Sequence, residues 1–306
     1  MRASVIVPSY AGAARLPRLL AALAAQSHPE LEVVVVLDGV VDDSEQVLQR
    51  FPVRRVVLPE NRGRSAALNA GFAAATGDVL IRCDDDLEPA PGWAAAHVGA
   101  HVAQHGTEPV GVVGLCPNVY PDSAYARAYG RDADARFRAH AAAVPPASAW
   151  RLWGGNVSVT RSTFDRVGGY GADYREYGWE DVDWGYRLHR LGLPVRLEPG
   201  AEAAHHGAST STVIRSRRAF LSGAARRTFE RLHPEARTPE EAPAGPWDAA
   251  VRALARVESE ARLARLAAGV DAVLPAVPRA IGRKLVALTV ESAAIAGYQR
   301  AGARRA

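Results

Sequence analysis

Cysteine and lysine are nearly missing from the 306-residue sequence, which has Cys83, Cys116 and the single lysine Lys284. Two cysteines are too few for a disulfide framework or a cysteine-based zinc site, so a reducing compartment is expected. No run of about 18 uncharged apolar residues occurs, and we expect no membrane-spanning helix. The segment before Val5 is too short for a signal peptide. Together these absences predict a cytoplasmic protein.

Two phosphate-binding motifs are also missing. The loop 8–12, after the first predicted strand, has no GxGxxG, and no GxxxxGK[ST] occurs anywhere in the sequence. Without these glycines the backbone cannot approach a pyrophosphate in the manner of dinucleotide-binding or P-loop enzymes. The sequence therefore argues against a Rossmann dehydrogenase and a P-loop kinase.

Charge is distributed unevenly along the chain. From Arg215 to the end there are 17 basic and 9 acidic residues, a surplus of eight; since the whole chain carries +4, the preceding part carries −4. A basic segment of this kind favours contact with a membrane surface or an acidic partner. We expect no nucleic-acid partner.

Strands and helices alternate in the first part of the sequence. Apolar runs predict strands at 4–7, 31–37, 54–58 and 79–81, and helices are predicted at 16–23, 44–51 and 65–75. Further along, we predict a helix at 92–105, a strand at 110–114 and an irregular insertion with helix at 117–146. The first helix rests on Leu16, Leu19, Leu20 and Leu23, which recur at i, i+3, i+4 and i+7. This alternation predicts an α/β fold with a mostly parallel, doubly wound sheet and helices on both faces.

An acidic tripeptide, Asp84-Asp85-Asp86, follows the strand at 79–81. Ligands of open α/β sheets bind beyond the carboxyl ends of the strands. Mg²⁺ and Mn²⁺ prefer carboxylate and phosphate oxygens, and adjacent carboxylates repel one another without a cation. The tripeptide therefore predicts a metal and diphosphate site, with a solvated acidic turn as the alternative.

Further polar residues follow other predicted strands. Asp38 ends the second strand and can accept hydrogen bonds from a base or ribose, or serve as a turn residue. Gly154 and Gly155 let backbone approach a ligand and Asn156 can donate and accept, although a β-bulge is equally plausible.

Two more segments carry candidate groups. Glu180 and Asp181 begin a helix whose dipole favours ionised carboxylates, and Trp179 beside them resembles a pocket wall. One histidine of the pair His205-His206, after a later strand, is a candidate metal ligand because imidazole complements carboxylates around a transition metal.

In this order and spacing, the motifs resemble those of family 2 glycosyltransferases with the GT-A fold. They are also similar to the catalytic half of polypeptide N-acetylgalactosaminyltransferases and β-1,4-galactosyltransferases. The matching segments span about Ser4 to Gly207: VIVPSY, VVVVLDG with a following DD, ENRGRSAALNAGFAAATGDVLIRCDDD, WGGNVSVTRSTFDRVGGY, and YGWEDVDWGYRLHRLG followed by HH. Departures are PSYA in place of PxYN and LDGVVD in place of DDGSTD.

The resemblance implies a role for each matching residue. Asp181 would be the catalytic base, Glu180 would help to bind sugar or acceptor, and Asp86 would bind Mn²⁺ or Mg²⁺ with Asp84 closer to the ribose. Either His205 or His206 would complete the metal shell. The remaining implied contacts are to the nucleotide-sugar: Pro8, Ser9, Tyr10, Asp38, Arg62, Arg64, Asp84, Asp85, Gly154, Gly155, Asn156 and Trp179.

These roles predict an inverting, metal-dependent transfer from a UDP-sugar to an acceptor hydroxyl. The acceptor could be a glycan, a lipid-linked saccharide, a peptide or a small molecule. A sugar-1-phosphate nucleotidyltransferase is an alternative, but it needs a Gly-rich, Arg-containing loop that 8–12 lacks. A non-catalytic sugar-nucleotide-binding protein would be expected to lose the carboxylates, and they are present.

The last part of the sequence, from Arg215 onward, is predicted to be a separate helical extension. We predict a catalytic domain at 1–214 and a basic helical region at 215–306, with helices at 215–233 and 281–298, a linker at 234–246 and an amphipathic helix from Trp247. Such helices pack on the domain or on a second copy, or they dock on the inner face of the membrane.

Overall fold

The computed structural model describes residues 1–102, 110–174, 178–237, 245–257 and 259–303. These residues form two compact units. The first comprises Met1–Val119, Phe137–Arg175 and Glu180–Gly207, and the second comprises Tyr120–Arg136, Glu176–Trp179 and Ala208–Ala306, each as far as it is described.

A seven-stranded sheet lies at the centre of the first unit, in the order β3-β2-β1-β4-β7-β6-β8. Pairs β1–β2, β2–β3, β1–β4 and β6–β8 are parallel, whereas β7 is antiparallel to β4 and β6. The predicted mostly parallel sheet is confirmed. Its strands are Ala3–Ser9 (β1), Leu31–Asp38 (β2), Arg54–Leu58 (β3), Val79–Cys83 (β4), Gly111–Val113 (β6), Asn156–Thr160 (β7) and Val195–Leu197 (β8).

Helices cover both faces of this sheet. Successive side chains of a strand point to opposite faces, so one strand can pack against helices on both sides. Val5 and Val7 of β1 join a buried cluster with the four leucines of α1, whereas Ile6 points at Gly71 of α3. The helices of this part of the chain are Leu16–Ala24 (α1), Ser44–Leu48 (α2), Arg64–Ala74 (α3), Trp93–Val102 (α4), Arg131–Ala143 (α5), Arg161–Val167 (α6) and Glu180–Arg190 (α7).

A second, two-stranded sheet joins the acidic run to the histidine pair. Strand β5 (Leu87–Pro89) follows Asp86 directly and pairs antiparallel with β9 (Ala203–His205), with Leu87 opposite His205. Two segments more than a hundred residues apart in the chain are thereby fixed side by side at the carboxyl end of β4.

The second unit is helical. Its main helices are Thr212–Leu232 (α8), Pro246–Val257 (α9), Glu260–Val273 (α10) and Arg279–Ala303 (α11), and a π-helical turn spans Ala126–Gly130. Its core joins Tyr125 and Ala128 to apolar residues of α8, α10 and α11. None of the helices in the described ranges is long and apolar enough to cross a membrane.

Several boundaries differ from the predictions. Helix α2 stops at Leu48 rather than at residue 51, and α11 starts at Arg279 and extends beyond 298. The segment 117–146, predicted as an irregular insertion with helix, is mostly helical between 126 and 143. Two predictions lie partly outside the described residues: the end of the predicted helix 92–105, at 103–105, and most of the predicted linker, at 238–244. The predicted domain boundary at 214 falls within α8 and stays a prediction.

Candidate active site

The three carboxylates of the acidic run point to different partners. Asp85 is buried and faces inward, where Ser9 Oγ donates to it at 2.6 Å and Arg15 donates through Nε and Nη2, each at 2.9 Å. Burial raises the pKa of Asp85, against the lowering effect of Arg15 and Ser9. Asp85 and Ser9 therefore fix the loop after β1 to the acidic run.

Asp86 meets a histidine. The Nε2 atom of His205 lies 3.2 Å from Asp86 Oδ2, and the two side chains are 25% and 24% exposed. Burial opposes ionisation of Asp86, but the hydrogen bond and charge of His205, with the charges of Arg15 and Arg64, outweigh it and lower its pKa. A carboxylate and an imidazole thus converge at a site that solvent reaches.

The surroundings of this pair hold it in place. Asn118 Oδ1 lies 2.7 Å from His205 Nδ1, so Nδ1–H donates to the amide oxygen and orients the ring with Nε2 facing Asp86. A Cβ at Gly207 would overlap the Asp86 carboxylate and lie 2.8 Å from His205 Nε2. A glycine is needed at 207 for the two side chains to meet.

The second histidine of the pair is engaged elsewhere. His206 Nε2 lies 2.6 Å from Glu88 Oε2, while its backbone N–H donates to the Asp86 carbonyl oxygen at 2.9 Å. The geometry therefore favours His205, not His206, as the partner of Asp86.

Carboxylate oxygens suit Mn²⁺ or Mg²⁺, and an imidazole ligand favours a transition metal such as Mn²⁺ over Mg²⁺. Within the described part of the chain no group of three or more His, Cys, Asp or Glu side chains is arranged to hold a metal ion. Asp86 and His205 supply two donors, so a cation held by them would take its other ligands from phosphate oxygens and water.

Asp84 shares an arginine with Asp181. Arg82 Nε donates to Asp84 Oδ1 at 2.9 Å, its Nη2 donates to Asp84 Oδ2 at 3.2 Å, and its Nη1 donates to Asp181 Oδ1. The guanidinium also lies 5.6 Å from the ring centroid of Tyr170. The first residue of the acidic run and the predicted base thus lie at one edge of the sheet.

Glu180 is bound to a second arginine. Arg64 Nη1 donates to Glu180 Oε1 at 3.0 Å; the Arg64 side chain is 41% exposed and that of Glu180 is 2% exposed. The other oxygen of Glu180, Oε2, is buried and has no hydrogen-bond partner among the described residues. A buried acceptor left unpaired costs free energy, so a ligand hydroxyl that donates to Oε2 would be bound favourably.

Asp181 has a pKa well above the usual range of an aspartate. Burial raises its pKa to about 7, with the charge of Glu180 acting in the same direction and Arg82 and Arg64 opposing. A base with a pKa near the working pH has the best balance between being ionised and attracting a proton.

The predicted nucleotide contacts are arranged around the ends of β1 and β2. Asp38 accepts from the backbone N–H groups of Arg62 and Gly63 at 2.7 and 2.8 Å, and so fixes the loop that leads into α3. Tyr10 is 46% exposed, whereas Pro8 is buried. Asp38 therefore positions the loop that carries Arg62 and leads into α3, and the Tyr10 side chain is exposed.

In the segment Gly154-Gly155-Asn156, one glycine makes room for Asp84 and the asparagine binds in the core. A Cβ on Gly155 would lie 2.6 Å from Asp84 Oδ2, whereas Gly154 has room around it. Asn156 is 1% exposed; its Oδ1 accepts from Trp93 Nε1 at 3.0 Å and its Nδ2 donates to the Ala201 oxygen at 2.7 Å. Gly155 thus makes room for Asp84, but the Asn156 side chain faces the core, and its predicted ligand contact has no support here.

Trp179 belongs to the second unit. Its indole N–H donates to Ser222 Oγ at 3.1 Å, and its ring packs on Phe229 with centroids 5.1 Å apart. Its backbone φ of 70° is unusual for a large residue. Its predicted contact with the sugar stays a prediction.

Sequence reasoning missed Arg15, Arg82 and Asn118. Arg82 left a signal, because a charged residue in the otherwise apolar strand Val79–Cys83 needs a buried partner. Arg15 and Asn118 lie in segments whose pattern gives no such indication.

Comparison with known proteins agrees with this geometry. A family model described as "Glycosyl transferase family 2" matches residues 4–139, and one described as "N-terminal domain of galactosyltransferase" matches residues 136–206. The chain belongs to glycosyl transferase family 2. The two matches meet between the acidic run and α7, so they cover both halves of the site.

Relatives of the chain include validoxylamine A glucosyltransferase of Streptomyces hygroscopicus, 30% identical over 69% of the chain and 58% of the relative. Pre-mycofactocin glycosyltransferase of Mycobacterium tuberculosis is 29% identical over 77% of the chain and 49% of the relative. The undecaprenyl-phosphate 4-deoxy-4-formamido-L-arabinose transferase of Pseudomonas syringae is 32% identical over 59% and 48%. The chain spans about half the length of these relatives.

Solved structures share the fold. A mannosyltransferase of Pyrobaculum calidifontis, in complex with GDP-Man and Mn²⁺, has a TM-score of 0.61 and 21% identity and covers 98% of this chain and 88% of its own. S. aureus TarS has a TM-score of 0.54 and 16% identity, covering 98% and 55%. At this identity the likeness shows the GT-A type of α/β fold alone.

Proposed function

We propose that this family 2 glycosyltransferase is a metal-dependent, inverting enzyme that transfers a sugar from a UDP-sugar to an acceptor hydroxyl, with Asp181 as general base. The observation that carries the proposal is the convergence of two pairs, Asp86 with His205 and Asp84 with Asp181, at the carboxyl end of β4. Arg82 joins Asp84 to Asp181, and Asp86 lies two residues after Asp84, which supports one shared cleft.

The donor would bind with its diphosphate beside Asp86 and His205. A bound Mn²⁺ or Mg²⁺ would neutralise the charge that develops on the leaving diphosphate. The exposed guanidinium of Arg64 lies beside Glu180 and can reach phosphate oxygens in addition. Tyr10 would contact the base, and Asp84 the ribose. The neighbour that holds GDP-Man and Mn²⁺ supports a nucleotide-sugar and a divalent cation in a site of this fold.

Transfer would need one proton to be removed. Asp181 accepts the proton of the acceptor hydroxyl while that oxygen attacks the anomeric carbon, and attack opposite the leaving group inverts the anomeric configuration. Glu180 Oε2, unpaired among the described residues, would accept from a sugar or acceptor hydroxyl. The acceptor class is open to a glycan, a lipid-linked saccharide, a peptide or a small molecule; the named relatives include enzymes for validoxylamine A and undecaprenyl phosphate.

The helices of the second unit would contribute a contact surface. Val273 and Ile281 are 43% and 50% exposed, and the exposed cations Arg283 and Lys284 follow Ile281. Exposed apolar side chains beside cations suit the surface of an anionic membrane, and the same helices suit a second copy of the chain.

A thermal-shift screen of UDP-, GDP- and dTDP-sugars, with and without Mn²⁺, tests the proposal. We expect UDP-sugars with Mn²⁺ to raise the melting temperature most, because a ligand at about 100 times its Kd stabilises the folded state by about 2.7 kcal/mol. Asp86→Ala should remove the Mn²⁺-dependent part of the shift. If no nucleotide-sugar raises the melting temperature under any metal condition, the proposal is wrong.

A further inference from the structure

Arg82 is an arginine in the interior of a sheet. It lies in β4 between Ile81 and Cys83, opposite Ile6 of β1 and Val157 of β7, and its side chain is 0% exposed. A buried charge is tolerated only when its partners replace the lost water. Arg82 therefore has to be explained by the groups around it.

The partners of Arg82 come from two distant segments. Two of its nitrogens hold Asp84, two residues further along the chain, and the third holds Asp181, 99 residues away at the start of α7. The ring of Tyr170 lies beside the guanidinium. All three nitrogens have carboxylate acceptors, and no part of the side chain reaches solvent. Arg82 cannot touch a donor or an acceptor in this arrangement, so any effect on the reaction passes through the two carboxylates.

The shape of the guanidinium matters here. Its donors are fixed in a plane, so gripping Asp84 with one edge determines where the remaining nitrogen presents a proton to Asp181. Lysine offers a single ammonium on a flexible stem and cannot reproduce both contacts with this geometry. A displacement of a catalytic group by about 1 Å costs on the order of 10²-fold in rate.

We propose that Arg82 is a positioning residue that fixes the orientation of Asp181 relative to Asp84, so that the base faces the acceptor when Asp84 engages the donor. This inference rests on the proposed glycosyl transfer. Arg82 contributes to the chemical step through the position of Asp181, and it contributes little to the affinity for the nucleotide.

The test compares Arg82→Lys with Arg161→Lys. Arg161 is a matched control because its guanidinium donates to the backbone oxygens of Ala75 and Gly77, beside the start of the same strand. Steady-state transfer gives kcat and KM, and calorimetry gives the Kd and the number of binding sites for UDP with Mn²⁺. Rates are divided by the concentration of UDP-binding sites, so that a partly folded preparation does not imitate a loss of activity.

We expect Arg82→Lys to lower kcat on the order of 10²-fold and to leave the Kd for UDP within about twofold. Arg161→Lys should change neither kcat nor Kd by more than about twofold, which is the usual scatter of independent substitutions. If Arg82→Lys does not fold, Arg82→Gln is measured in the same way, with the same expected split. A kcat within about twofold of the wild type overturns the inference.

A double-mutant cycle separates positioning from general support of the fold. In the Asp181→Asn background the group that Arg82 positions is already lost, so Arg82→Lys should change the residual rate by no more than about twofold. An equal loss in both backgrounds would show a structural role instead. Wild-type transfer is measured first: its absence defeats the proposed function, whereas transfer with an unaffected Arg82→Lys defeats only this inference.

Discussion

The two sides of the acidic run prepare the same chemical group for different tasks. On one side Asp86 meets an imidazole, and both side chains are about a quarter exposed. On the other side Asp84 and Asp181 share a fully buried guanidinium. The carboxylate proposed to bind a cation faces an imidazole, whereas the one proposed to accept a proton is held by a buried arginine, although the aspartates themselves are similarly exposed, at 24% for Asp86 and 17% for Asp181. The side chains around each aspartate, His205 on one side and Arg82 on the other, distinguish the two proposed roles.

The largest expected effect is on the base side. Asp181→Asn keeps the size and shape of the side chain but removes the proton acceptor, so we expect transfer to fall on the order of 10³-fold, within the range for general-base catalysis. The Kd for UDP with Mn²⁺, measured by calorimetry, should change little. Asp183→Asn is the control on the same helix, since Asp183 is bound by Arg187. Equal losses of transfer and of UDP binding would break the separation between the two sides.

The next largest expected effect is on the affinity for Mn²⁺, and it distinguishes His205 from His206. His205→Ala should weaken Mn²⁺ binding at least as much as loss of a supporting residue does, by about 10–100-fold. His206→Ala should leave it near the wild-type value, because His206 contacts Glu88. Titration of Mn²⁺ by electron paramagnetic resonance measures both. Equal weakening in the two variants would contradict the assignment of His205.

The smallest expected effect is a dependence of kcat/KM on pH, which comes from the ionisation of Asp181. Because the pKa of Asp181 is raised to about 7 and the base must be ionised, kcat/KM should fall as the pH drops below about 7. The fall should approach tenfold per pH unit. The measurement uses saturating Mn²⁺ at each pH, so that proton competition on the metal side does not contribute. A profile that is flat between about pH 5.5 and 8 would remove Asp181 from the role.

The fold could be predicted further than the site. The alternation of apolar strands and amphipathic helices predicts the parallel part of the sheet, because burial on both faces of a parallel strand leaves a continuous apolar run. The antiparallel strand β7 and the pairing of β5 with β9 depend on contacts between residues far apart in the chain. Local patterns contain no information about such partners.

Within the site, residue type predicted location better than orientation. Asp86 and His205 meet as expected from the chemistry of their side chains. By contrast Asp85 turns to Arg15 and Asn156 turns to Trp93, since a buried polar atom binds whichever partner the packing brings within reach. The choice between two adjacent histidines likewise needed the backbone geometry.

The antiparallel pairing of β5 with β9 sets which imidazole is used. Leu87 lies opposite His205, and consecutive side chains of a strand alternate between its faces. A shift of the ladder by one position would turn His205 away and offer a different side chain to Asp86. Inserting or deleting one residue between Ala201 and His205 would therefore test the proposed metal site, because it exchanges the side chain that faces Asp86 without replacing any atom of the acidic run.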